Sequence, residues 1–359
     1  MNNACLAATA ALLWSAGAAA QSTPPEIPFD SVGNFLQLPQ DTYFGEVAGI
    51  AVNSNKHVFV LSRGNTVGPA YGAAATQLLE FDQNGRFVRE IGKNLYAWSF
   101  AHTVRVDRYD NIWVADKGSD VVVKFDPAGR VSMVFGRKPE ASDESAHPLE
   151  HPQPPLPPVD GYFRQVTDVA WDSSDNIYIS DGYINSRVAK YDKDGNWVAS
   201  YGEYGSGPGQ FNTLHSIAID AQNRVYIADR GNRRIQVLDT SGKLLNTFTI
   251  DVPVPPNAPV AIGARPAETG GGVQTQRPGA PWALCITPPP NQVLYVSDSY
   301  PGRIYKLTLD GKVQGWLGGS GKVLKKFGWI HEIACPSENE LYVAELLNWR
   351  AQKLLLHPR

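Results

Sequence analysis

The sequence predicts an all-β fold: one six-bladed β-propeller whose ring is closed by the N-terminal segment. Three observations predict it. Frequent Gly (33), Pro (27), Tyr (15) and Trp (9) favour short strands and tight turns over long helices. One unit recurs six times along the 359 residues: an alternating strand, a polar turn, and a second strand, which in most copies ends in a small residue and Asp. Each of the first five copies then runs into a hairpin whose turn ends in Gly, at 85, 129, 195, 242 and 311.

From the N-terminus, residues 1–20 read as a signal peptide. An apolar run from Leu6 to Ala16 leads into Ala18-Ala19-Ala20, an A-x-A site before Gln21. The run is too short to span a bilayer, so the mature chain is expected to be secreted or periplasmic, without membrane insertion. Residues 21–40 are expected to supply the outer strand that the sixth copy lacks, near Asn34 to Leu38, and residues 41–359 form the propeller. The clearest copies are TVRVDRYDNIWVADKG (103–118), DVAWDSSDNIYISDGY (168–183) and SIAIDAQNRVYIADRG (216–231). Their period-2 alternation marks half-buried strands. Pro-rich stretches at 138–161 and 251–280 are inserted loops.

Several function classes are excluded. With 32 Lys+Arg against 35 Asp+Glu, the net charge of −3 gives no electrostatic reason for a nucleic-acid partner. At 43% hydrophobic and 19% charged, the chain is globular. Three Cys exclude a disulfide-stapled scaffold. Cys285 and Cys335, which remain after cleavage, read as buried apolar thiols on strands; a disulfide or a metal thiolate is the alternative.

The first strand of each blade lines the central channel, so one repeat register forms a ring. The register five residues before the end of that strand holds Ala48, His102, Thr167, His215, Trp282 and His331. Histidine occupies the second, fourth and sixth blades only, although the chain has just seven His. Alternate blades sit about 120° apart around the axis. Three inward imidazoles at one height are the first shell of a catalytic zinc with an open fourth position. On the same face, the ends of the second strands carry Arg63, Lys117, Tyr183 and Arg230. Arginines there suit a carboxylate clamp, and a Tyr between them and a metal suits a base.

With these residues, the chain resembles the peptidyl-α-hydroxyglycine α-amidating lyase family, built on NHL-type repeats. The resemblance rests on SDGYINSR (180–187), LHSIA (214–218), ADRGNRRIQ (228–236) and the three alternating histidines. It implies zinc on His102, His215 and His331, catalytic Tyr183, and active-site Arg63 and Arg230. It also implies a structural calcium held by the carbonyls of Ile50 and Val104 and by an acidic side chain; the family's Asp is Glu332 here. The implied activity is that of a carbon–nitrogen lyase cleaving an N-acyl-α-hydroxyglycine to a primary amide and glyoxylate. The substrate would be a peptide or small molecule, supplied by a separate monooxygenase. Three other readings compete: an NHL-repeat binding propeller without catalysis, a gluconolactonase-like metal hydrolase, which would need Glu, Asp and Asn ligands in the channel, and a streptogramin-lyase-like propeller.

Overall fold

The computed structural model describes residues 23–64, 76–138, 159, 161–263, 265–266 and 274–357. The expected signal peptide and most of the 138–161 insertion lie outside them. The described strands form six four-stranded antiparallel sheets, each built from neighbours in sequence except the last. This is the predicted six-bladed propeller. Among the described residues, no helix is long and apolar enough to cross a membrane.

Blade one runs from Val47 to Ile91, blade two from Ala101 to Gly136 and blade three from Asp168 to Tyr201; blades four, five and six follow from Leu214, Leu284 and Ile330. The apolar core is divided into six clusters, one between each pair of neighbouring blades. Between blades one and two, for example, Phe59 and Leu61 pack with Val114 and Phe125. Inner strands are therefore buried on both faces, while an outermost strand such as Trp197–Tyr201 is largely exposed. The five hairpin glycines all have positive φ, 77° to 97°, as their turns require.

The N-terminal segment closes the ring, but with a different strand from the expected one. Phe29–Val32 pairs with Arg350–Leu356 to complete blade six. Asn34 has φ 53°, which breaks extended structure and turns the chain towards blade one. There the Gln37 N–H donates to the Gly85 carbonyl at 2.7 Å, and Phe35, Leu36 and Leu38 pack against the cluster between blades six and one. At its other end the Ile27 N–H donates to Trp316 O, in blade five, at 2.7 Å. The segment thus straps three blades. Deleting residues 23–40 is expected to lower the melting temperature by about 10 °C or more, several kcal/mol of lost packing and pairing in a chain this size. An unchanged melting curve would contradict the closure.

The cysteines also depart from expectation. Cys285 and Cys335 form a disulfide rather than two buried thiols, with Cα atoms 6.0 Å apart. They lie on the first strands of blades five and six. That adjacency comes from the side-by-side packing of successive blades, and their separation of 50 residues hides it.

Candidate metal centre

Backbone irregularity aims the ring residues inward. The first strand of blade two loses register with the second between Ala101 and Thr103, so His102 is an extra, unpaired residue. The same shift brackets His331 between Ile330 and Glu332, and takes in His215 between Leu214 and Ile217. A bulge bends the strand and re-aims its side chain. Here it turns the imidazoles towards the axis.

The three predicted histidines meet. Their ring centroids are 4.5, 4.8 and 4.9 Å apart, and one nitrogen from each lies within 4.8 Å of the others. Each is buried, and each is held in the same way by the next blade's ring residue. The Nδ1 atoms of His102, His215 and His331 bond the carbonyls of Thr167, Trp282 and Ala48 at 2.7, 2.7 and 2.8 Å. A carbonyl only accepts, so each Nδ1 carries the hydrogen and each Nε2 keeps its lone pair. The Nε2 atoms of His102 and His215 are buried without any partner. Burial first, then neighbouring positive charge, holds all three imidazoles well below the ordinary histidine pKa. Three neutral imidazoles with fixed tautomers, two of them with orphaned Nε2 atoms, are a donor set that fits zinc.

The face above this triad is cationic and aromatic. Arg230 is buried over the Trp282 ring, 4.1 Å from its centroid, and its Nη2 donates to the Tyr183 hydroxyl at 3.4 Å. Its Nε and Nη1 are buried without partners, which leaves two charged donors unused. Arg63 is differently committed: Nε donates to Ala101 O at 3.0 Å, Nη1 pairs with Glu46 at 2.6 Å, and the group stacks on Phe100. Tyr183 is half-buried, its ring 5.8 Å from that of His102. Burial works to raise its pKa, but Arg230, Lys117 and Arg63 outweigh burial and bring the phenol below its usual value.

These side chains stand where they do because the strand-closing acids anchor the loops around them. Asp116 accepts backbone N–H bonds from Ser99, Phe100, Gly118 and Ser119 at 2.9 to 3.0 Å. Asp181 and Asp229 hold the loops leading to Tyr183 and Arg230 through the N–H groups of Arg164 and Asn212. Their recurrence is architectural, as the repeat suggests. Gly182, just before Tyr183, has no room for a side chain: a Cβ there would lie 1.6 Å from Leu214 O.

Two residues of this face carry weight that sequence reasoning passed over. Lys117 places Nζ 4.1 Å from the Tyr183 ring centroid, and Trp282 backs both Arg230 and His215. Both occupy ring or rim registers, which was the available signal.

The expected calcium residues meet too, but with the wrong groups. Glu332 Oε2 accepts from the N–H groups of Ile50 and Val104 at 3.0 and 3.1 Å, so donors rather than carbonyls face it. Its Oε1 accepts from Thr103 Oγ1 at 2.6 Å and pairs with Arg105 at 3.1 Å. This set does not fit a hard divalent cation.

A family model described as a 6-bladed beta-propeller matches residues 161–261. Human NHL repeat-containing protein 3 is 30% identical over 233 residues, covering 59% of this chain and 58% of that protein. A Caenorhabditis elegans protein named probable peptidyl-alpha-hydroxyglycine alpha-amidating lyase is 27% identical over 236 residues, covering 61% of this chain and 62% of its own length. The chain thus spans about three-fifths of each of these relatives. Among solved structures, a streptogramin B lyase superimposes with a TM-score of 0.54 at 14% identity, over 92% of this chain and 98% of that one, a likeness of fold alone. The chain is therefore a six-bladed β-propeller that resembles NHL repeat-containing proteins and the peptidyl-α-hydroxyglycine α-amidating lyases.

Proposed function

We propose that the protein is an exported, zinc-dependent carbon–nitrogen lyase that cleaves an N-acyl-α-hydroxyglycine to a primary amide and glyoxylate. The observation that carries this reading is the buried triad of imidazoles, with the Nε2 atoms of His102 and His215 unpartnered, capped by a guanidinium with unpartnered nitrogens beside Tyr183. His102, His215 and His331 would hold the metal, which when bound supplies Lewis acidity to a hydroxyl oxygen.

The chain's own residues supply the rest. Arg230 would supply its unused donors Nε and Nη1 to the substrate carboxylate, and Trp282, stacked against the guanidinium, holds it in place. Arg63, tied to Glu46 and Ala101, adds positive charge and positions the rim. Tyr183, surrounded by cations, takes the hydroxyl proton as the C–N bond breaks and the C=O bond of glyoxylate forms. The departing amide nitrogen needs one proton, so substrate and products balance without water or an oxidant. Export accords with the Cys285–Cys335 disulfide, which persists in an oxidising compartment. A separate hydroxylating enzyme would supply the substrate.

The test is to incubate the purified protein with N-benzoyl-α-hydroxyglycine and quantify both products. Equal amounts of benzamide and glyoxylate are expected. A zinc-loaded protein that releases neither would overturn the reading.

A further inference from the structure

We propose that Arg105 is the resident cation of the central channel, and that its guanidinium fills the structural role for which the resemblance implies calcium. This inference does not depend on the lyase reading. It rests on how completely one side chain gathers the channel's polar groups.

Arg105 projects from the first strand of blade two, three residues past His102. Its fork grips Asp168 of blade three, Nε to Oδ1 at 2.8 Å and Nη2 to Oδ2 at 2.6 Å. Nε also lies 3.1 Å from Glu332 Oε1, in blade six. Nη2 reaches Ser216 Oγ in blade four at 3.2 Å and Leu284 O in blade five at 3.4 Å, and Nη1 reaches Ile333 O at 3.4 Å. One guanidinium therefore links blade two to four others. A planar five-donor group suits this spread of acceptors, whereas an ammonium would not.

The acids around it have no oxygen left for a second cation. Asp168 Oδ2 additionally accepts from Ser216 Oγ at 2.7 Å and the Ile217 N–H at 3.2 Å. Glu332 uses its longer side chain to reach N–H groups in blades one and two, as described above. Calcium demands about six to eight oxygen ligands, and a dication beside a buried guanidinium would meet strong repulsion in this low-dielectric setting. Burial works against the charge on Arg105, but Asp168 and Glu332 hold its pKa above the ordinary value. The two carboxylates and one guanidinium form a closed set.

The experiment measures calcium and thermal stability. Wild-type protein equilibrated with calcium chloride and then gel-filtered is expected to retain no calcium above background. Its melting temperature should be the same in calcium and in EGTA. Arg105→Met leaves two buried carboxylates facing each other, and is expected to melt roughly 10 °C lower. Stoichiometric calcium in the wild type, or a calcium-dependent rise in its melting temperature, would overturn the proposal. So would an Arg105→Met protein that melts like the wild type. If that variant fails to fold, the wild-type measurements still decide.

Discussion

His215→Ala is expected to lose the metal and to lower turnover by about a thousandfold, because Lewis-acid stabilisation is worth several kcal/mol and each 1.36 kcal/mol is about tenfold. The structural reason lies in the symmetry of the triad. Each imidazole is locked by the carbonyl of the following blade, so two histidines cannot shift to replace the third. Removing one leaves two ligands where a catalytic zinc needs three. His215 is buried and His357 is exposed near the chain end, so His357→Ala serves as the control and should change neither metal content nor rate. A His215→Ala protein that kept its metal and its turnover would place the chemistry elsewhere.

The second large effect is expected at Tyr183. Tyr183→Phe should keep one zinc per chain and lower kcat by roughly 10²- to 10⁴-fold, the range of a lost general base. KM should move little, because the carboxylate contact belongs to Arg230. The Phe ring can keep the edge contact with His102 and the place beneath Lys117, so the fold of the rim is not at issue. Full turnover in the Phe variant would remove Tyr183 from the proton transfer. A loss of zinc would show that the tyrosine supports the triad instead.

The fold was legible because a propeller repeats itself. Six copies of one strand pattern give the blades, and a register counted from the turn gives the ring without any contact being known. Histidine at alternate copies predicts three imidazoles meeting on the axis below the rim tyrosine and arginine, and the structure brings those side chains together. What stayed hidden arises between copies. The bulges at the histidines are set by pairing with the second strand, which a linear pattern does not record. The Cys285–Cys335 bond joins the inner strands of two successive blades, and the Arg105 clasp reaches across the channel to Glu332 and Leu284, contacts that only the folded ring brings together. The closing strand differs from the expected one because Phe35–Leu38 (FLQL) is the more apolar segment, while Phe29–Val32 (FDSV) carries the pairing. The turn at Asn34 separates their destinations. Glu332 shows the limit of transferring a role by alignment. The acidic group is there, but in this structure it accepts from the N–H groups of Ile50 and Val104 and pairs with Arg105.

The central claim is that one metal ion held by the three histidines makes this propeller a lyase. The most direct test strips the metal with a chelator, restores zinc in measured steps, and follows glyoxylate release from N-benzoyl-α-hydroxyglycine. The account predicts no release from the stripped protein and a linear return of activity that stops at one zinc per chain. Undiminished release from metal-free protein, or none from protein carrying one zinc per chain, would contradict it.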